Sequence, residues 1–260
     1  MLRLTVLGSC GTYPAPQRAC SGYLLEAAGE DHRTVRVWVD TGSGTLANLL
    51  RVTTLPELDA IWISHLHIDH CTDLPVAWYA LRYGGAEPPP RPLAVFGPGG
   101  WARHMADFMS VELRGEFDEV FAPQELHDGD PVELGALRLI PVATSHSVET
   151  YGVRAEGPGG TIGYSADSGP CDGLGRIAGD ADLFLCEAAW MERPPGAMPI
   201  HMTPALAGRW AAGAHARGLV LTHLRPGARD HEFAERARES FGGEVALARE
   251  GDVYEFGGTQ

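Results

Sequence analysis

The feature that most constrains this chain is Ser64-His65-Leu66-His67-Ile68-Asp69-His70, which packs three histidines and an aspartate into six residues. It directly follows the apolar run Leu58 to Ser64. A short run of that kind suits a buried strand, and loops at strand ends are where sites are built. His65 and His67 alternate, so an extended chain projects both rings to one side. Asp69 and His70 fall where the chain turns toward a helix. The segment can therefore offer two ligands to one cation and two to a neighbour. Imidazole with carboxylate suits zinc, and manganese or iron less exclusively. A polar loop in which histidines merely cluster is the plainer reading, and it accounts poorly for four donors in six residues.

Around this segment the pattern is strand-rich, with helices interleaved. Leu2 to Leu7 alternates, and Gly22 to Ala27 with Thr34 to Val39 reads as a hairpin across Gly29-Glu30-Asp31. Asp40-Thr41-Gly42-Ser43-Gly44 is a turn, Thr45 to Val52 a helix, and Leu74 to Tyr83 another. Ala86 to Pro92 is a Pro-rich surface loop. Leu93 to Phe96 reads as a strand and Trp101 to Met109 as a helix. A second strand-rich stretch covers Leu137 to Ala143, Tyr151 to Ala155 and Thr161 to Tyr164. Strands at Asp182 to Cys186 and Leu219 to Thr222 then alternate with helices at Thr203 to Ala214 and Asp230 to Glu239, and the tail carries strand-like Glu244 to Leu247 and Val253 to Phe256. Two packed sheets with helices outside satisfy this order; a plain layered α/β domain satisfies the periodicity as well. No linker divides the chain, so residues 1–260 read as one domain.

Thirty-four acidic residues against 20 basic ones, all of them Arg, give a formal charge of −14. Such a chain is a poor general binder of nucleic acid, whose phosphates need clustered cations, and of anionic membranes. No run approaches a membrane span, and the N-terminus lacks a signal-peptide layout. Five scattered cysteines (Cys10, Cys20, Cys71, Cys171, Cys186) form no disulfide framework. The expectation is a cytoplasmic protein with free thiols.

His-x-His-x-Asp-His after a hydrophobic strand resembles the signature of the metallo-β-lactamase superfamily, and the likeness extends along nearly the whole chain. Asp40 to Gly44 resembles the acidic Gly turn that supports the metal site. His146 resembles the later isolated His ligand, Asp167 the bridging Asp, and His223, in Leu221-Thr222-His223-Leu224, the last His ligand. The resemblance implies an α/β fold of four layers, an αββα sandwich. It implies two Zn2+ per chain, with manganese or iron as alternatives. One would be held by His65, His67 and His146, the other by Asp69, His70 and His223, with Asp167 bridging. Within the superfamily the chain is most similar to ribonuclease Z and its small phosphodiesterase relatives, through Leu7 to Pro14 and His201-Met202-Thr203. Cys186-Glu187-Ala188-Ala189 stands where that group has His-Glu-Ala-Thr, matching at Glu187 and Ala188 only.

Only 20 residues separate His146 from Asp167, where ribonuclease Z inserts a long tRNA-gripping arm. The short gap and the negative charge disfavour tRNA and point to a small phosphodiester, such as a cyclic nucleotide. By resemblance a water activated between the cations attacks phosphorus, Asp69 accepts its proton, and His201 protonates the leaving alkoxide. Glu187 would orient His201 and raise its pKa, and Asp40 would support the His loop. Plainer readings place His201 at a helix start and Glu187 at a backbone cap. The alternatives in function are tRNA 3′ processing, hydrolysis of lactones, thioesters or sulfate esters, and a metal-binding protein without turnover. Among the arginines, Arg225, just after His223, and Arg18, in the first loop, are the candidates to meet a substrate phosphate, with a solvated face the plainer default for either. Trp190-Met191 and Trp78-Tyr79 could line a base-stacking pocket, although at these spacings such residues are more often core. Cys71 and Cys186 read as core, and His32, His104, His127, His215 and His231 as surface or packing residues. A homodimer is the oligomer the resemblance allows.

Overall fold

A computed structural model describes residues 1–29, 33–85, 91–109, 115–228 and 230–257. Its strands, in chain order, are β1 (Leu2–Gly8), β2 (Gly22–Ala28), β3 (Thr34–Val39), β4 (Ala60–Trp62), β5 (Leu93–Gly97), β6 (Phe121–Glu125), β7 (Val132–Leu134), β8 (Leu137–Ala143), β9 (Tyr151–Gly157), β10 (Gly160–Tyr164), β11 (Leu183–Glu187), β12 (Leu219–Thr222), β13 (Val245–Leu247) and β14 (Val253–Phe256). The helices are α1 (Thr45–Leu49), α2 (Ile68–Cys71), α3 (Asp73–Tyr83), α4 (Trp101–Met109), α5 (Phe117–Val120), α6 (Asp172–Ala178), α7 (Pro204–Gly213) and α8 (Asp230–Phe241).

The strands form two sheets, ordered β14-β1-β2-β3-β4-β5-β6 and β13-β12-β11-β10-β9-β8-β7. Between them lies an apolar core with Leu4, Leu25, Val37 and Trp62 from the first sheet and Leu139, Val153, Ile162 and Leu185 from the second. The opposite face of the first sheet packs Trp38, Ile61 and Val95 against Leu49, Trp78, Met105 and Phe117 of the helices. The opposite face of the second packs Phe184 and Leu221 against Leu174, Ala207, Ala211 and Phe233. This is the expected four-layer αββα order. It follows from strands that bury both faces and therefore carry few polar alternations.

Local chemistry sets several boundaries. Thr203 caps α7, its hydroxyl accepting from Leu206 N (3.3 Å), and Pro204 fills the first turn, where no donor is needed. Asp73 at the head of α3 accepts from Leu46 N (2.8 Å), tying α3 to α1. The strand expected over Leu58 to Ser64 is shorter, Ala60–Trp62. Leu58 N closes a 3-10 turn onto Leu55 O, and Asp40 takes Ser64 N. The helix expected to Val52 stops at Leu49. Strands β6 and β7 and helices α5 and α6 are not anticipated: β7 and α5 are three and four residues long, Pro123 interrupts β6, and Gly173 and Gly175 interrupt α6. Residues 30 and 31 of the expected turn, residues 86–90 of the Pro-rich loop, and His32 lie outside the described residues. No helix among the described residues is long and apolar enough to cross a membrane.

Candidate metal centre

The ladders β3-β4-β5-β6 and β10-β11-β12-β13 are parallel, and ligands commonly meet such sheets at the carboxyl ends of the strands. The residues singled out in the sequence converge at those ends. Asp40 directly follows β3, the His loop follows β4, and His146 follows β8. Asp167 follows β10, Glu187 ends β11, and His223 follows β12.

Ligand-type atoms of His65, His67, His146 and Asp167 lie within 4.8 Å of one another, as do those of Asp69, His70 and His223. Asp167 lies between the groups. One oxygen is 3.8 Å from both His65 Nε2 and His146 Nε2, and the other is 3.2 Å from His70 Nε2 and 3.3 Å from His223 Nδ1. A third grouping joins Asp167, His201 and His223.

The supporting hydrogen bonds orient the inner nitrogens. Asp40, fully buried, accepts from Ser64 N (2.8 Å), Ser64 Oγ (2.9 Å), His70 Nδ1 (2.8 Å) and Tyr164 OH (2.8 Å). His70 Nε2 is thereby left facing Asp167 Oδ1, and both atoms are buried without a hydrogen-bond partner. His146 Nδ1 donates to Ile200 O (2.9 Å). Ser64 Oγ spends its proton on Asp40, so His65 Nδ1 donates to Ser64 Oγ (3.0 Å). The inner nitrogens of His65 and His146 each stand 3.1 Å from His67 Nδ1. Three imidazole nitrogens thus meet with at most one hydrogen among them. A tetrahedral ion with metal–nitrogen bonds of ~2.0–2.1 Å sets ligand edges of about 3.3 Å, so the donor set fits a divalent cation. Asp69, 8% exposed, is aimed by Thr12 N, which donates to its Oδ2 at 2.7 Å.

Burial pushes His65 well below the usual histidine range and lowers His67 and His146, keeping the rings neutral. At His70 burial acts in the same sense, but the carboxylates of Asp167 and Asp40 outweigh it and raise the pKa. Burial raises Asp167, and the surrounding His223, His70 and His65 overcome this to hold it well below the carboxylate range.

Backbone geometry is unusual here. Asp40, Ala166 and His223 all have positive φ (55°, 51° and 57°), a conformation non-glycine residues adopt at some cost. Gly11 approaches His223 so closely that a Cβ would lie 2.4 Å from the ring.

Glu187, fully buried, combines its two expected roles. Its carboxylate accepts from Ser168 N (3.0 Å) and Ala189 N (3.0 Å) and from His201 Nδ1 (2.8 Å). His201 is partly open, with 14% side-chain exposure, and its Nδ1 is 3.9 Å from Asp167 Oδ2. Burial lowers His201, but the bond to Glu187 and the charges of Glu187 and Asp167 raise it above the usual range. Its ring packs against Trp190 at 5.1 Å. Trp78 is core, and Arg18 turns to Ser9 Oγ (3.5 Å). Cys71 and Cys186 are core, and His104, His127, His215 and His231 are exposed. Sequence reasoning missed Thr12, Ser21 (3.1 Å from His223 Nδ1) and Tyr164 as supports. Lone hydroxyls and amides carry no spacing signal.

The model of the β-lactamase superfamily domain matches residues 35–224. The chain is 37% identical over 259 residues to the uncharacterised protein ML1173 of Mycobacterium leprae, covering 98% of this chain and 88% of that one. It is 30% identical over 98% of its length and 100% of the relative to a Bacillus subtilis protein named "Probable metallo-hydrolase YhfI". The crystal structure of YhfI superposes with a TM-score of 0.83, covering 97% of this chain and 98% of that one. This chain is also 27% identical to ribonuclease Z of Salinispora arenicola, over 95% of this chain and 94% of the relative. The chain belongs to the β-lactamase superfamily. Its class within that superfamily is metal-dependent hydrolase.

Proposed function

We propose that this hydrolase is a phosphodiesterase acting on cyclic nucleotides or other small phosphodiesters. The observation that carries the reading is the Glu187–His201 pair beside Asp167, since cleaving an alkyl phosphodiester expels a basic alkoxide that needs a proton. Two divalent cations, zinc by donor set, held by His65, His67 and His146 and by Asp69, His70 and His223 with Asp167 between, would supply Lewis acidity and a water activated near neutral pH. Thr12 N donates to Asp69 and aims its carboxylate, which would accept a proton from the attacking water. Glu187 holds His201 by Nδ1, leaving Nε2 to pass a proton to the departing oxygen. Asp40 keeps His70 in the tautomer whose Nε2 faces inward. The short β9–β10 hairpin between His146 and Asp167, together with the −14 charge, favours a small substrate over tRNA.

The test compares cyclic AMP with bis(p-nitrophenyl) phosphate, whose aryl group leaves without protonation. His201→Ala is expected to lose about 10²–10⁴-fold in kcat on cyclic AMP and distinctly less on the aryl diester. Equal losses on both would remove the acid role. Hydrolysis of neither by the metal-loaded protein would sink the phosphodiesterase reading, and pre-tRNA cleavage would replace it with tRNA processing.

A further inference from the structure

Arg225 is exposed, two residues past His223, and its guanidinium carbon lies 5.7 Å from the centre of the Trp190 ring. Trp190 is 9% exposed and packs edge-on against His201 (5.1 Å, 70°). The indole thus touches both the acid and a cation. Some arginines are neutralised, as Arg36 is by Glu26 (3.1 Å) and Arg176 by Asp128 (3.0 Å), whereas Arg225 enters no ion pair among the described residues and lies over an aromatic ring beside the site. Its backbone is anchored on both sides. Leu224 N donates to Ser9 O (3.2 Å), Gly11 N to Leu224 O (3.1 Å), and Ala228 N to Arg225 O (3.0 Å). An unpaired cation held on an aromatic face in so acidic a chain is suited to an anionic group arriving from outside. His201 and Arg225 share the Trp190 ring, and the arginine's charge acts on His201, which sets the cation near the group that protonates the leaving oxygen. A cation there meets what the leaving group carries rather than the phosphorus under attack.

We infer that Arg225, held over Trp190, reads a second anionic group on the leaving side of the substrate, so that phosphodiesters whose departing nucleoside bears its own phosphate are preferred. The inference rests on the phosphodiesterase reading. The matched probes are the dinucleotide ApA and its 5′-phosphorylated form pApA. In both, water adds to phosphorus, the P–O3′ bond breaks, and O3′ takes the proton from His201. ApA yields adenosine and 5′-AMP, and pApA yields two 5′-AMP. Only pApA presents a phosphate on the departing nucleoside.

The wild type is expected to favour pApA in kcat/KM, chiefly through KM. Arg225→Gln should cut the pApA-to-ApA ratio roughly tenfold to a hundredfold, the range for a hydrogen bond between charged groups. Arg225→Lys, which keeps charge but loses the planar stack, should fall between. A ratio that Arg225→Gln leaves unchanged overturns the inference, as does a wild type that does not prefer pApA. If the wild type hydrolyses neither dinucleotide, calorimetric binding of 5′-AMP against adenosine separates the two failures. Discrimination lost in Arg225→Gln upholds the phosphate-reading role and discrimination retained in that variant overturns it, while hydrolysis of cyclic AMP decides the phosphodiesterase reading separately.

Discussion

Asp40→Asn tests whether one buried carboxylate organises the centre. Asn tolerates the positive φ of 55° as readily as Asp, so the substitution leaves the backbone unstrained and changes only charge and one acceptor. One oxygen of Asp40 accepts from Ser64 N, and the other from Ser64 Oγ, His70 Nδ1 and Tyr164 OH. The least costly Asn rotamer keeps its oxygen toward those three groups and turns NH2 against Ser64 N–H. That loses a charge-assisted bond, about 1.5–3 kcal/mol, and leaves buried donors facing each other, another ~1–3 kcal/mol. For a chain of this size each kcal/mol moves Tm by about 2–4 °C, so metal-free Asp40→Asn should melt roughly 5–20 °C below metal-free wild type. His70 Nδ1 then donates to a neutral amide oxygen in place of a carboxylate, which weakens the hold on its tautomer, so metal affinity should fall about 10–100-fold by competition with a chelator. Calorimetry of the two apoproteins, with metal analysis after dialysis against graded chelator, reads both effects. An Asp40→Asn protein melting within a degree or two of wild type and keeping its metals would refute the assignment.

Glu187→Gln removes the charge that raises His201, so the alkaline limb of the kcat profile on cyclic AMP should move to lower pH; an unmoved limb separates His201 from that step. The same substitution reaches stability. A raised histidine stabilises the fold below the unfolded histidine pKa, and that contribution fades as pH rises through the folded value. Glu187→Gln should therefore flatten this part of the stability-against-pH curve. Burial pushes the Cys20 and Cys71 thiols up to about 12 and raises Cys10 and Cys186, while Cys171 is the half-exposed cysteine. Iodoacetamide at pH 8 should label Cys171 well ahead of the others by mass spectrometry, and rapid labelling of Cys20 or Cys71 would contradict their burial. Gly11→Ala puts a methyl 2.4 Å from the His223 ring, so the variant should lose metal from the His223 group before the His67 group, a sequence that metal analysis would detect.

The sequence carried the strands and the His loop well because their signals are local. Apolar runs such as Leu137 to Ala143 and Leu219 to Thr222 have strand length and match the observed strands residue for residue. Four donors in six residues announce a centre without help. His146, Asp167 and His223 have no such neighbours, and resemblance brought them in where spacing could not. β6 and β7 escaped because Pro123 and polar Gln124 interrupt one and the other is three residues long. The pairing of β14 with β1, at the far edge of the first sheet, is a long-range choice that no window of sequence reveals.

The placement of the donors explains why His146, Asp167 and His223 lie far from the others in sequence. A centre built on one loop inherits that loop's mobility, whereas this one takes residues from the carboxyl ends of strands in two separate sheets. Each strand is held by its ladder, and each donor lies in the turn or short helix that leaves a strand, Asp69 and His70 in α2, so the sheets fix where the donors meet. The positive φ values at Asp40, Ala166 and His223 serve the same end, since a chain leaving a strand must turn sharply to keep its donor at the junction rather than run on past it. The cost of those turns, on the order of 1–3 kcal/mol each, falls on the fold. Buried imidazoles facing one another add to it until a cation satisfies them. Fold and centre are therefore coupled: the sheets hold the donors in an arrangement unfavourable when empty, and whatever cation binds there returns that free energy as affinity.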